Sequence, residues 1–295
     1  MGIYKNIRPH TSVMESVYII AAIITLLVLV SASVSDWKKR EVSDIHWLIL
    51  FITGTVVLLI RYGSDPLPTS FAALMFILIS ADLIWDREPT LKSESLLITG
   101  IIMSATMVVR MAWGTDLVQA TLTVFAVFFV MNLLYYTGIV RGGADAKCVI
   151  AISMVFPLYP AFGEFPLVMS SSDPFVTVFP FAVAVFIVAD VLAVSPLFYY
   201  LARNLIKGDR KFPQMLIGYV KPISSVDEEK EWPIQDIIDG EIVIRTRPAD
   251  DGAVQRLKEA GAENIWVTPI IPFIIPLTVA YVIVLLIGNP FFLIL

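Results

Sequence analysis

Residues 141–147 have the sequence RGGADAK and lie between two long apolar runs. They place two glycines and the carboxylate of Asp145 at a point where the chain is expected to leave or enter a membrane. A second carboxylate, Asp36, lies in the sequence SDWKKR of residues 35–40, at the end of the first apolar run. We therefore take these two aspartates as the reference points for the organisation of the chain.

The composition indicates a polytopic α-helical membrane protein. Of the 295 residues, 57% are hydrophobic and 16% are charged, whereas roughly a quarter of the residues of a soluble protein are charged. Apolar runs of about 20 residues recur, which is the length that a helix needs to cross a bilayer. The single cysteine, Cys148, excludes a disulfide within the chain. No basic face indicates nucleic-acid binding.

Eight transmembrane spans and one soluble segment are predicted. The spans are expected at residues 17–34, 45–62, 68–85, 95–113, 117–139, 144–160, 175–204 and 269–289. The first run also resembles a cleaved signal peptide, since Lys5 and Arg8 precede it and small residues occupy positions 31–33. The basic residues that directly follow this run favour a cytoplasmic position for its C-terminal flank.

The predicted domains are a membrane core with seven spans (1–206), a small soluble domain (207–268) and a C-terminal transmembrane helix (269–295). Within the soluble domain, residues 241–245 and 264–267 read as strands. A helix between them is expected to begin at a cap formed by Asp250 or Asp251 and to end at Gly261. The segment is therefore predicted to be a compact β-α-β unit on the cytoplasmic side.

The distribution of basic residues predicts the orientation in the membrane. With eight spans, one set of loops holds 17 of the 21 Lys and Arg residues, and the N-terminal tail with the other loops holds 4. Without the soluble domain the count is 7 against 4, in the same direction. The first set is therefore predicted to be cytoplasmic and the N-terminus to face outward, with Asp36 and Asp145 at equal depth near the cytoplasmic boundary. Tryptophans at predicted span ends are expected at the membrane interface, namely Trp37, Trp47, Trp85 and Trp113.

Two carboxyl groups that share one proton are able to hydrolyse a peptide bond. One ionised group takes a proton from water, and the other donates a proton to the departing amine. Gly142 and Gly143 would let a substrate backbone approach closely and would leave N–H groups free to support an oxyanion. The plainer alternative is that Asp145 only caps a helix and that Asp36 is only solvated.

Other hydrolytic chemistries have fewer candidates in this sequence. The only histidines are His10 and His46, so there is no His-x-x-x-His pair for zinc. Cys148 is expected inside a span as a buried small hydrophobe rather than a nucleophile. We expect no metal and no cofactor.

Two further acids fall within predicted spans, where ionisable groups are costly and are functional candidates. Asp190 lies near the middle of the seventh span, between Pro180 and Pro196. Its role is left open between joining helices and supporting a site. Asp82 lies near the inner end of the third span and is expected to be structural, for instance as a partner of Asn132.

The residues around the two aspartates resemble a known family. GGADAK at 142–147 resembles the Gly-x-Gly-Asp signature of type IV prepilin peptidases, and more closely its archaeal preflagellin peptidase form. DWKKREV at 36–42 is similar to the family's first aspartate with its basic flank. IWVTPIIPFIIP at 265–276 resembles the end of the archaeal C-terminal domain as it re-enters the membrane.

The resemblance implies a membrane aspartyl protease that removes a short basic leader from preflagellin or pilin-like precursors on the cytoplasmic side. It implies Asp36 and Asp145 as the catalytic pair, without a metal. Gly142, Gly143, Ala144 and Asp190 are then candidate supporting or substrate-binding residues, and Lys147 is predicted to tune the charge of the pair or to hold a substrate carbonyl. Ala144 departs from the bacterial signature, and four predicted spans between the two motifs suggest an additional helical hairpin.

The main competing hypothesis is an ion-coupled transporter that uses Asp36, Asp145 and Asp190. Such a transporter is expected to hold its acids near the bilayer midplane and to contain an internal repeat. The two motif acids are instead predicted at one face, and the sequence shows no repeat.

Overall fold

The computed structural model describes residues 12–85, 90–140, 142–168, 179–238, 240–250, 252–270 and 272–289. The chain divides into two compact units. The first unit consists of Met1–Ala189 and Pro272–Leu295, and the second consists of Asp190–Ile271.

Helices make up most of the described residues, and two small sheets accompany them. The helices are α1 (Ser12–Lys39), α2 (Ile45–Tyr62), α3 (Pro66–Ile84), α4 (Leu91–Met111), α5 (Asp116–Tyr136), α6 (Gly143–Val155), α7 (Phe181–Lys207), α8 (Gln214–Ile217), α9 (Ala253–Glu259) and α10 (Ile274–Ile287). The strands are β1 (Tyr219–Pro222), β2 (Glu231–Pro233), β3 (Gln235–Ile238), β4 (Glu241–Ile244) and β5 (Asn264–Pro269).

Six helices in the described ranges, α1 to α5 and α7, are long and apolar enough to cross a membrane. The predicted sixth and eighth spans contain shorter helices, because α6 has 13 residues and α10 has 14. A helix of 13 residues is about 20 Å long, which is less than the roughly 30 Å of a hydrocarbon core. Phe156 leaves the helical conformation directly before Pro157, and a proline disfavours helical geometry in the residue before it. The fold is a polytopic helical membrane protein with a small sheet domain before its last helix, as predicted.

The short helix α6 forms the centre of the first unit. It packs against α2 and α5, and every residue from Cys148 to Val155 is buried. A helix that is apolar on all sides is stable only when other elements surround it. Cys148 is completely buried, as expected for a small core residue.

A glycine in α2 allows the close approach of α2 to α6. A Cβ atom at Gly54 would lie 2.6 Å from the Met154 carbonyl oxygen and 2.9 Å from the Val155 nitrogen. These are backbone atoms of a buried helix and cannot move aside as a side chain can. The residue at position 54 therefore determines how closely the two helices pack.

The helix order places both motif aspartates at one end of the first unit. At the opposite end, Arg61 donates a hydrogen bond to the Tyr18 hydroxyl and pairs with Asp116 at 3.2 Å. This contact joins the beginnings of α1 and α5 to the end of α2. Asp36, near the end of α1, and Asp145, in the first turn of α6, consequently lie together at the other end.

All four tryptophans at predicted span ends lie at or beside helix ends. Trp37, Trp85 and Trp113 are exposed, whereas Trp47, at the beginning of α2, is fully buried. α2 packs against α1, α3 and α6, and Trp47 faces these neighbours while Ile45 and Leu48 in the same turn are exposed.

The second unit contains the predicted strands and helix, but with a different strand pairing. β1, β5 and β2 form one antiparallel sheet, with β5 in the middle. The predicted strand at 241–245 is β4, which forms a separate antiparallel hairpin with β3. β4 and β5 therefore belong to different sheets, because β3 lies close before β4 in the chain and Gly240, with φ 82°, directly precedes β4. The strands and the helix of the predicted β-α-β unit are present, but its two strands do not belong to the same sheet.

The predicted cap of the helix in this unit is not formed by Asp250. Gly252, with φ 84°, occupies the cap position before α9, and no described side chain makes a cap hydrogen bond there. Asp250 accepts a hydrogen bond from Ala253 only through its backbone carbonyl, at 3.2 Å, while Asp251 lies outside the described residues. α9 is held instead by its apolar face, where Val254 and Leu257 pack on β5 through Ile265 and Val267.

Glu231 is a buried carboxylate in the β1–β5–β2 sheet. It pairs with Lys221 at 2.7 Å, accepts a hydrogen bond from the Tyr219 hydroxyl, and accepts another from the Asp227 backbone at 3.3 Å. Burial alone raises the pKa of Glu231, but these hydrogen bonds outweigh it and hold the pKa below its usual value. The ionised form is thus the one that the folded sheet stabilises.

We expect Gly54→Ala to destabilise the first unit by roughly 1–3 kcal/mol, because the added methyl group meets backbone that cannot yield. Thermal unfolding in detergent micelles measures the effect. Gly100→Ala is the matched control, since its Cβ would lie 3.0 Å from the flexible end of the Leu78 side chain. An unfolding temperature for Gly54→Ala at or above that of the wild type would contradict this account of the packing.

We expect Glu231→Gln to reduce the hydrogen-exchange protection of the β1–β5–β2 sheet at pH 7. Because the folded-state pKa is lowered, the stabilisation is present above the unfolded value near 4.5 and is lost as the pH falls through the folded value. The difference between variant and wild type should therefore shrink below about pH 4.5. Hydrogen exchange read by mass spectrometry, corrected for intrinsic rates, tests this in the whole protein.

Glu229→Gln serves as its control, because it makes the same change at an exposed position in the loop directly before β2. Equal loss of protection in both variants would show that the buried carboxylate has no special role.

Candidate active site

The first turn of α6 holds one of the two motif aspartates. Gly142 precedes the helix in an extended conformation (φ −88°, ψ 116°). Its carbonyl oxygen accepts hydrogen bonds from the backbone N–H groups of Asp145 at 3.1 Å and Ala146 at 3.3 Å. Asp145 is the third residue of the helix, where the helix dipole favours a negative charge.

The Asp145 carboxyl group folds back over the Cα atom of Gly142. A Cβ atom at position 142 would lie only 2.8 Å from the Asp145 Cγ atom, closer than such atoms can approach. A Cβ at Gly143 would instead lie 3.6 Å from the Tyr135 ring, which is an ordinary contact. Of the two glycines, only Gly142 is needed for the position of the carboxyl group, and Ala144 lies in the same first turn.

Two neighbouring residues act on Asp36 at the end of α1. The backbone of Ile274, at the beginning of α10, lies near its carboxylate, and the positive charge of Arg40 acts on it. The Arg40 backbone N–H donates to the Asp36 carbonyl oxygen at 3.0 Å. Arg40 has φ 57°, a left-handed conformation that ends the helix. α1, α10 and the turn after α1 thus all contribute to the surroundings of Asp36.

The carboxylates of Asp36 and Asp145 are close enough to interact electrostatically. They come from helices that are far apart in sequence and that pack against the same neighbour, α2. Two like charges at such a position favour a state in which the pair shares one proton.

Lys147 forms an ion pair with Asp44, with 2.6 Å between Nζ and Oδ1. Asp44 is the last residue before α2. Asp44 was missed in the sequence analysis. The signal that could have found it is an acid at the predicted cytoplasmic start of a span, where it is available to pair with a lysine. Ile274 was missed as well, and no sequence signal exists for it because the main chain makes the contact.

A cavity of about 370 Å³ lies beside the first two turns of α6. Asp82 and Asn132, which were considered as partners from the sequence, both line it, together with Glu94 and Lys147. Asp190 belongs to the second unit and is exposed on α7. Its supporting role stays a prediction.

His46 takes part in the turn between α1 and α2. The Ser31 hydroxyl donates to its Nε2 at 3.1 Å, and its Nδ1–H donates to the Ser43 carbonyl oxygen at 2.9 Å. Within the described ranges, no three His, Cys, Asp or Glu side chains are grouped so that they would bind a metal ion.

Comparison with known proteins gives two matches. Residues 197–289 match a family model described as Archaeal Peptidase A24 C-terminus Type II. The chain is also 27% identical over 275 residues to a preflagellin peptidase of Methanococcus maripaludis, which covers 90% of this chain and 94% of that protein. The resemblance proposed from the sequence motifs is therefore confirmed, including the C-terminal segment at 265–276.

Proposed function

We propose that the chain, which is similar to a preflagellin peptidase, is a membrane-embedded aspartyl endopeptidase. It cleaves the basic leader from preflagellin or pilin-like precursors. The observation that carries the proposal is that Asp36 and Asp145 lie at the same end of the helix bundle, near enough to interact electrostatically. Both lie at helix ends, where a substrate backbone and water have access.

The pair hydrolyses a peptide bond by sharing a single proton. The ionised carboxylate takes a proton from the attacking water, and the protonated carboxyl group gives its proton to the departing amine. Because the two groups titrate together, either one is able to begin as the base. The backbone N–H groups of Gly143 and Ala144, which begin α6, have no partner within the helix and would support an oxyanion.

Cleavage takes place at the cytoplasmic face. The bundle end that holds Asp36 and Asp145 also holds the loops that are rich in Lys and Arg, and such loops stay in the cytoplasm. The cavity beside α6 is lined by the acids Asp82 and Glu94, which complement a basic leader. The precursor and the lipid bilayer are thus the partners of the chain.

We expect Asp36→Asn and Asp145→Asn each to lower the rate of leader cleavage by at least about 1,000-fold, because either change removes the shared proton pair. Purified protein in proteoliposomes is tested on a precursor that has a basic leader before an apolar helix. Asp65→Asn, an exposed aspartate at the opposite end of the bundle, is the control and should retain full activity.

Near-normal cleavage by either site variant would remove that aspartate from the catalytic pair. If the wild type cuts no such precursor, the peptidase proposal is wrong, and ion flux in the same vesicles then tests the transporter alternative.

We expect Gly142→Ala to fold normally and to lower kcat by about 10- to 100-fold, because the new methyl group displaces the Asp145 carboxyl group. The main chain at position 142 is extended and accepts alanine without strain. Gly143→Ala is the matched control, with activity within about 3-fold of wild type, since its methyl group would meet only the Tyr135 ring at ordinary distance. Equal activity of the two variants would contradict the role given to Gly142.

A further inference from the structure

We propose that the ion pair between Asp44 and Lys147 is a positioning contact that sets the distance between Asp36 and Asp145 through α2. The inference rests on the proposed peptidase function and adds two positioning residues to it. It replaces the expectation that Lys147 acts directly on the charge of the pair or on the substrate.

The geometry of Asp44 indicates that its carboxylate serves Lys147 rather than its own helix. Asp44 occupies the cap position of α2, where an aspartate usually accepts a hydrogen bond from the helix's first amides. Here it makes no side-chain cap hydrogen bond, and its Oδ1 lies 2.6 Å from Lys147 Nζ. The side chains are 43% and 25% exposed, respectively.

Lys147 points away from the carboxyl group that it was expected to tune. It follows Asp145 by two residues, and side chains two positions apart on a helix lie on nearly opposite faces. The charged group that acts on Asp145 is Asp36, and the one that acts on Asp36 is Arg40. The lysine is therefore placed to hold α2, not to stabilise a charge at the site.

A second contact fixes α2 to α6 at the far end of α6. Gly54 lies against the backbone of Met154 and Val155, at the last turn of α6, whereas Lys147 is close to its first turn. Two contacts at opposite ends of a short helix fix both its distance from α2 and its register. The ion pair supplies the contact nearest to Asp145.

The turn between α1 and α2 connects the position of α2 to the position of Asp36. The Ser35 hydroxyl donates to the Glu41 carbonyl oxygen at 2.8 Å, and Ser31 donates to His46 at 3.1 Å. Together with the Arg40 to Asp36 backbone bond at 3.0 Å, these contacts tie the end of α1 to the beginning of α2. A continuous path thus runs from Asp145 through Lys147, Asp44 and the turn to Asp36.

The test compares Asp44→Ala, Lys147→Ala and the exchanged pair Asp44→Lys with Lys147→Asp. For a positioning contact, each single variant should lower kcat by about 10- to 100-fold with KM within about 3-fold of wild type. The exchanged pair should recover most of the lost rate, because it restores the contact with the charges reversed. Thermal unfolding in detergent confirms that each variant is folded.

The pH–rate profile separates positioning from a direct charge effect. If the aspartates move apart, their coupling weakens, and both single variants should bring the two limbs of the profile closer together. If Lys147 acted by its charge, removing the lysine and removing the aspartate would shift the profile in opposite directions. Opposite shifts, or an exchanged pair that is no more active than the single variants, would overturn the proposal.

A distance measurement tests the contact without relying on catalysis. Spin labels at Lys39→Cys and Ile139→Cys, both exposed and placed near the two aspartates, are used in a Cys148→Ser background. Each single variant should shift or broaden the measured distance distribution, and the exchanged pair should restore it. An unchanged distribution in both single variants would overturn the positioning role even if the chain proved not to be a peptidase.

Discussion

The electrostatic interaction between two carboxylates at one end of an apolar helix bundle is the constraint on which the rest of the structure depends. Like charges repel more strongly where water is scarce, so the pair is held together only if other contacts resist separation. Asp145 lies in the first turn of α6, and its carboxyl group occupies space that a side chain at position 142 would fill. Asp36 lies beside the backbone of Ile274 and shortly before the turn that Arg40 begins. The helices bring the two groups together, and local contacts hold each one in place.

The short central helix that carries Asp145 is held by its surroundings. α6 is too short to cross a membrane alone, and its stability comes from burial among longer neighbours. Its position is consequently determined by packing against these neighbours, above all by the close backbone contact at Gly54 and by the ion pair of Lys147. α2 makes both contacts and also continues from the turn after Asp36. In the proposed arrangement, α2 therefore connects the two aspartates through these contacts.

The geometry also accounts for the departure from the family signature at position 144. Of the small residues before Asp145, Gly142 is the one over which the carboxyl group folds, and a side chain there would collide with it. Gly143 has room for a methyl group. Ala144 is a good helix former in the first turn of α6. An alanine at that position is thus compatible with the same placement of the aspartate.

Hydropathy and turn chemistry in the sequence determined the class of the protein, the existence of its helices and the strands of its small domain. These signals are local, because a long apolar run or a strand flanked by glycine favours its own structure without any contact to distant residues. The order of the helices also placed Asp36 and Asp145 at one end of the bundle. Tertiary structure alone decided the burial of Trp47, the pairing of β4 with β3 and the partner of Lys147. Each of these depends on which residues from distant parts of the sequence pack beside a given residue, and local sequence patterns do not encode such contacts.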